Sequence, residues 1–510
     1  MKRPLTVLLT LLTGLQLFAA APSAEEPAPA SSSRAASLHD LLVAAMNTNL
    51  ELRAKRIDPE IQKLRTQGAW GAFMPSYVAG YSWTSNERAK TAQENSSISS
   101  IFGGKNDPIL REDTVRAQTG LTGKLPFGMT YEAVTGVDRL RNSYNTFRSE
   151  YVANSTLTIT QPLLKDFGFR ANLAEVRLQK QATIAAEYEL RTVALRIMRD
   201  VANAYYEMAF AQQNVDVKAE AVTVAANLVR ENQRRLDEGK MAPIDVTQAQ
   251  SRLSEAKEEL VLAKNFLAQR RNALRELTHE SFNADEAAEL VVDREFVRTE
   301  VPAIDREEAT GALFKHNPSY LSALELAKAD DIRLAYAQNQ RWPRLDLKAS
   351  FGYNGLSRNI DMAYRNYWER TQPSWTAGLV LNVPIHDLAG KSRVAESKRR
   401  KAQTLLEIKR TEVTLLSAFD TALRDISNAT ERVGLVKDTV RLAQSALDVE
   451  LRRLSSGLTT SYNVAQAQRD LSQARSRELA TYVDLNKAVT QLYFVLGTLD
   501  QQLRVSVTAE

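Results

Sequence analysis

Chemistry near neutral pH is most often carried by histidine, and this sequence has four: His39, His279, His316 and His386. They are scattered, and none has a second ligand at i+4 that would make a helical metal pair. Each reads as a surface or packing histidine. Phe102-Gly103-Gly104-Lys105 has the glycines of a phosphate loop, but the full Walker pattern is missing and no helix follows, so it reads as a loop. No nucleophile elbow occurs. Asp330-Asp331 lies in an Ala- and Lys-bearing helical stretch, where ion pairing with neighbours is the ordinary role of such acids. Cysteine is absent, which removes thiolate metal sites, catalytic thiols, disulfides and the acylated N-terminal cysteine of a lipoprotein. The inventory points to no enzyme, no bound metal and no cofactor.

What remains, and is most informative, is an internal repeat with a period near 220 residues. Residues 234–250 read RRLDEGKMAPIDVTQAQ and residues 452–468 read RRLSSGLTTSYNVAQAQ, with Arg-Arg-Leu, the Gly, the Val and Gln-Ala-Gln in register. Arg235 and Gly239 in the first copy thus match Arg453 and Gly457 in the second, and Asp245 matches Asn463. Glycine relieves the backbone where a helix ends and reverses, and it leaves room for another helix to approach. The same glycines could equally do no more than terminate helices.

The elements that position these turns follow the same duplication. The first repeat, 37–280, reads as a helix near 37–68, strands within about 75–162 and a long helix hairpin over 166–279. The second, 303–500, reads as a helix near 306–340, strands within about 343–385 and a hairpin over 387–500, with an acidic connector at 281–302. Pro75 and Pro343 open the strand regions; Gln161-Pro162-Leu163 and Val383-Pro384-Ile385 lead out of them. Between Gly168 and Gly239 there is neither Gly nor Pro, and apolar residues recur at spacings of three and four (Leu190, Val193, Ile197, Val201, Ala204, Met208; then Leu415, Phe419, Ala422, Ile426). At 1.5 Å per residue such a helix runs roughly 100 Å, far beyond the diameter of a small domain. A tube or rod is implied.

The strands alternate. Leu345, Leu347, Ala349, Phe351 and Tyr353 share one face, with Asp346, Lys348, Ser350, Gly352 and Asn354 on the other. Trp375, Ala377, Leu379, Leu381 and Val383 share a face, and Leu157 and Ile159 oppose Thr156, Thr158 and Thr160. A half-buried sheet on a soluble core has the same period. Against that, strands of about ten residues rimmed by Tyr81, Trp83, Tyr364, Tyr367, Trp368 and Trp375 fit an outer-membrane barrel and its aromatic girdle. An additional alternating pair, 114–125 and 129–139, joined by Leu125-Pro126-Phe127-Gly128, reads as a hairpin whose relation to the barrel the sequence leaves open. Segments 91–113 and 355–372 read as mobile loops.

The N-terminus reads Met1-Lys2-Arg3, an apolar stretch from Leu5 to Phe18, then small residues to Ala24, the form of a secretory signal peptide over 1–24. Its apolar stretch is short of the ~20 residues that span a bilayer as a helix, and no run of 18 apolar residues follows. Removing Lys2 and Arg3 with the leader leaves +3 of the formal +5, with Lys and Arg alternating with acids along helices; a nucleic-acid partner is not indicated.

With these features in hand, the chain resembles the TolC outer-membrane efflux family. The resemblance rests on the leader, the duplication, the two strand-to-helix passages and the repeated Arg-x-x-x-Gly turns, over about residues 37–500. It implies a fold that is mainly α with a β-barrel part: a homotrimer embedded in outer-membrane lipid, four strands per chain in a common barrel, and a long periplasmic barrel of coiled-coil-like helices. It implies an exit duct of a tripartite efflux or type I secretion system, fed by an inner-membrane transporter through a periplasmic adaptor. Arg235, Gly239, Arg453 and Gly457 would be the adaptor-docking residues. Asp245, Asn463 and Gln466 fall at the periplasmic aperture, where the amides at the last two depart from the acids of the best-known member. The competing reading is a periplasmic coiled-coil scaffold with a soluble β-domain.

Overall fold

A computed structural model describes residues 35–92, 109–143, 148–278, 290–293 and 305–505. The expected signal peptide, Phe102–Lys105, His279 and all of the connector except 290–293 lie outside the described residues.

Each half begins with a broken helix. Helix α1 (Leu38–Thr48) is followed by α2 (Leu50–Trp70), and in the second half α6 (Arg306–His316) by α7 (Pro318–Gln340). The sequence reads a single helix at each place; the structure has two. The reason is an asparagine. Asn49 and Asn317 adopt extended backbone, and each side-chain oxygen accepts from the amide three residues on, Leu52 N and Tyr320 N, both at 3.1 Å. Such caps satisfy a helix-start donor that otherwise has no partner. Each Nδ2 then donates to the carbonyl near the end of a returning helix, Asn49 to Leu277 at 3.1 Å and Asn317 to Val495 at 2.9 Å.

The long helices are α4 (Ala174–Asp237), after the short α3 (Gly168–Asn172), and α9 (Leu388–Ser455). They return as α5 (Pro243–Thr278) and α10 (Ser461–Leu496), with a final turn α11 (Leu499–Gln502). Their apolar stripes build two large cores, the first of which also takes in Val483, Leu499 and Val505 from the end of the second half. Leu42 and Leu52 pack with Leu195, Met198, Val201 and Met208, and Leu313 packs with Phe419, Ile426, Val489 and Leu492. A third, smaller core of Leu447, Leu454, Val464 and Leu471 sits near the far turns. Glu207 joins the halves, accepting from Arg270 at 2.6 Å and pairing with Lys487. One stripe has no cover among the described residues: Leu406 and Val413, then Leu435, Leu442 and Val449, recur at seven-residue spacing on α9 and are exposed.

Among the described residues the strands form one antiparallel sheet of six, in chain order. They are β1 (Ser76–Ala89), β2 (Ile109–Lys124), β3 (Thr130–Asn142), β4 (Glu150–Pro162), β5 (Arg344–Ser357) and β6 (Pro373–Asn382). The resemblance implies four; the hairpin β2–β3 is the difference, and it lies in the plane of the sheet between β1 and β4. Register carries one transverse row through Tyr77, Leu121, Ala133, Leu157, Phe351 and Trp375. The neighbouring row on the opposite face runs Ser76, Thr122, Glu132, Thr158, Ser350 and Thr376. One face is thus apolar and the other polar across all six strands. The apolar face is open: Trp83 is 71%, Trp375 73% and Leu379 64% exposed.

Within the segment 355–372, read from sequence as a loop, the structure has a helix, α8 (Ile360–Trp368). Its Ala363 is fully buried, and its backbone at Ala363 and Tyr367 approaches Gly355 so closely that a side chain there has no room.

Phe419 is 1% exposed at the centre of the second core. Phe419→Ala should lower stability by about 3–5 kcal/mol, read as a drop in thermal unfolding temperature of the detergent-solubilised protein. An unchanged transition would show that this core does not hold the second half together.

Candidate functional site: the paired helix turns

The two repeated turns close α4 onto α5 and α9 onto α10. At the first, Gly239 N donates to Leu236 O at 2.9 Å and Lys240 N to Arg235 O at 2.8 Å, with Gly239 at φ +71°. At the second, Gly457 N donates to Leu454 O at 3.1 Å and Leu458 N to Arg453 O at 2.9 Å, with Gly457 at φ +73°. Both are Schellman motifs, in which the residue after the left-handed one donates to a carbonyl five positions back. The four-residue spacing of Arg-x-x-x-Gly is therefore the spacing between that accepting carbonyl and the left-handed residue. Glycine is the residue that takes this conformation without steric penalty.

The arginine side chains are held by their own helices. Arg235 Nε and an Arg234 guanidinium nitrogen both donate to Glu231 Oε1 at 2.9 Å. Arg453 donates to Glu450 at 2.7 Å, and Glu450 also accepts from Thr459 Oγ1 at 2.7 Å. The Arg235 hydrogen bond, reinforced by Arg234, holds the Glu231 carboxyl below its usual range. A depressed carboxylate stabilises the fold above its unfolded pKa and loses that contribution as pH falls through the folded value. This brace is therefore intact at neutral pH and weakens only in acid.

The remaining positions singled out from sequence lie just beyond. Asp245 stands in the first turn of α5, where a carboxylate complements the helix dipole. Asn463 is exposed and donates to Thr459 Oγ1 at 3.0 Å; Gln466 is half-buried and donates to Asp470 at 3.0 Å. No group of His, Cys, Asp or Glu among the described residues is arranged to hold a metal ion.

The structure brings the two turns together through a residue the sequence reading missed. Asn232 on α4 is 1% exposed; its Oδ1 accepts from Ser461 Oγ at 2.8 Å, and its Nδ2 faces Asp245 O at 3.4 Å. One side chain thus touches the starts of both α5 and α10. The available signal was a polar residue one turn beyond Leu228, which packs on the small core at this end.

Replacing Asn232 by Ala leaves the buried Ser461 hydroxyl without its acceptor, a loss of about 1–3 kcal/mol. Amide hydrogen exchange over 461–464 should accelerate accordingly, and unchanged protection would rule out the clip. Gly457→Ala, forced into the left-handed region, should cost about 1–2 kcal/mol and speed exchange in the last turn of α9; equal rates would show that the turn relaxes freely.

Comparison with known proteins bears on the whole of this architecture. The family model for the outer membrane efflux protein matches residues 110–279 and 318–498. The probable efflux pump outer membrane protein TtgC of Pseudomonas putida is 24% identical over 350 residues, covering 68% of this chain and 69% of the relative. Outer membrane protein TolC of Vibrio cholerae is 25% identical over 320 residues, covering 61% and 69%. Among solved structures, CusC superposes with a TM-score of 0.66 at 15% identity, covering 90% of this chain and 92% of that one. The CmeC outer membrane channel of Campylobacter jejuni gives 0.64 at 14% identity, covering 91% and 86%. The matched segments take in both helix hairpins with their Arg-x-x-x-Gly turns and well over half the chain, so this chain belongs to the outer membrane efflux protein family.

Proposed function

We propose that three copies of this chain form an outer-membrane exit duct, through which substrates driven by an inner-membrane transporter pass without further energy input. The carrying observation is the open apolar face of the sheet, with Tyr77, Tyr81, Trp83, Trp375 and Leu379 largely exposed. A soluble sheet buries such a face, and contiguous apolar patches beyond a few hundred Å² are rare on soluble monomers. Hydrocarbon is the environment that covers it, with the polar face lining a lumen. This counts against the periplasmic scaffold.

Two further features support assembly from identical copies. Six strands are too few to enclose a conducting lumen. The seven-residue stripe on α9 and the exposed Ile57, Ile61 and Leu64 of α2 are apolar helix faces that want a facing helix. The relatives named as efflux pump outer membrane proteins support the same reading.

At the far end, Arg235, Gly239, Arg453 and Gly457 are assigned to docking of a periplasmic adaptor, whose hairpin would lie against the turns. Asp245, Asn463 and Gln466 are assigned to the aperture. The first repeat carries an acid there and the second carries amides, which would give a weaker cation-attracting ring than acids in both.

Purified protein reconstituted in planar bilayers should give discrete, stable conductance steps; a consistent absence of steps from folded protein would overturn the duct. Gly239→Trp and Gly457→Trp should abolish export while channel levels in the outer membrane stay normal. Unimpaired export would remove the docking assignment.

A further inference from the structure

We infer that the barrel of the assembled channel has eighteen strands, six from each of three copies, with β6 of one copy hydrogen-bonded to β1 of the next. The inference rests on the trimeric duct and sets the size of its membrane pore.

The two halves of the chain supply the comparison. In the second half one strand follows α7 and Pro343, and the next leads through Pro384 into the long helix. In the first half β1 follows α2 and Pro75, and β4 leads through Pro162 toward α4. Strands β1 and β4 therefore occupy the places of β5 and β6, and β2–β3 is a hairpin added between them.

Three observations put that hairpin in the barrel wall. It is zipped on both sides: β2 pairs with β1 from Ile109 to Thr122, and β3 pairs with β4 from Thr130 to Leu140. Its faces match those of its neighbours, with Val115, Ala117 and Leu121 in the rows of Trp83, Tyr81 and Tyr77 and with Arg116, Gln118 and Thr122 on the polar side. On that polar side Arg116 pairs with Asp138 across the hairpin at 2.9 Å.

The third is its inner turn, which is seated on the junction between β4 and the helices. Gly168 N donates to Phe127 O at 3.0 Å, and the Phe127 and Phe169 rings meet edge to face at 6.1 Å. Gly128 lies at φ +103°, and a Cβ there would come within 2.4 Å of Asp166 O and 2.7 Å of Asn172 Nδ2. A hairpin folded away from the wall would break all of these contacts.

The edges then decide the seam. Among the described residues β1 and β6 each pair on one side only, and backbone groups facing hydrocarbon must be paired. Six antiparallel strands in succession leave the first and last running in opposite directions, so the seam between copies is itself antiparallel and the ring closes without a direction conflict. With strands ~4.8 Å apart and tilted ~40°, eighteen strands give a backbone diameter of roughly 36 Å, against roughly 24 Å for twelve. The membrane pore is thus of general-porin width, and size selection falls to the helical end.

Electron cryomicroscopy of the full chain in lipid nanodiscs should show a trimer with an eighteen-stranded ring. A trimer with a twelve-stranded ring and β2–β3 outside it would overturn the inference while leaving the duct; a structure without a shared ring would overturn both. The absence of native cysteine allows a second test. Ser82→Cys combined in turn with a cysteine at Ser374, Thr376, Gly378 or Val380 should yield covalent trimers on oxidation in at least one pairing. If none cross-links while the in-register pair Thr122→Cys with Glu132→Cys forms its disulfide within the chain, the seam is wrong.

Discussion

A strand in hydrocarbon cannot leave one edge of its backbone unpaired, and the rest of this molecule is arranged around that constraint. The sheet is polar on one face and apolar on the other, the pattern of a barrel wall with lipid outside. It therefore has no core of its own to rest on. The mass that orders it lies elsewhere, in helices that leave the sheet at Pro162 and Pro384 and hold the apolar cores. Sheet and helices divide the work: one meets the bilayer, the other supplies most of the burial that folding needs.

Duplication explains how a single chain builds so long an object with few kinds of part. Asn49 and Asn317 perform the same two tasks, capping a helix start and reaching across to the end of a returning helix. Gly239 and Gly457 close the same hydrogen-bonded turn. The halves differ where the sheet is built. Between its two corresponding strands the first half carries a hairpin, and the second carries the helix α8.

Much of this was legible in the residues. Strict alternation in 345–354 gave the two faces of β5, and the Gly- and Pro-free stretch after Gly168 gave the long helix, because both signals are periodicities that side-chain geometry imposes directly. The Arg-x-x-x-Gly turns were legible because a left-handed residue demands glycine. What escaped was tertiary. Nothing local distinguishes Asn49 from an asparagine inside a helix, whereas Pro318 after Asn317 is a local helix-start signal that the single-helix reading ran through; Asn232 becomes a clip only when α10 arrives beside it. The hairpin showed as a hairpin, but its place in the sheet depends on pairing with β1 and β4, which lie outside its own sequence. The helix α8 spans nine residues between strands, too short for its pattern to stand out from a loop.

The buried Asn232 also bears on how the two hairpins of one chain move. Because one side-chain amide bonds at the beginnings of both α5 and α10, the two hairpins of a chain are tied to each other beside their turns. Relative movement of the two hairpins at this end therefore has to break a buried hydrogen bond, whereas movement of the pair as a unit leaves it intact.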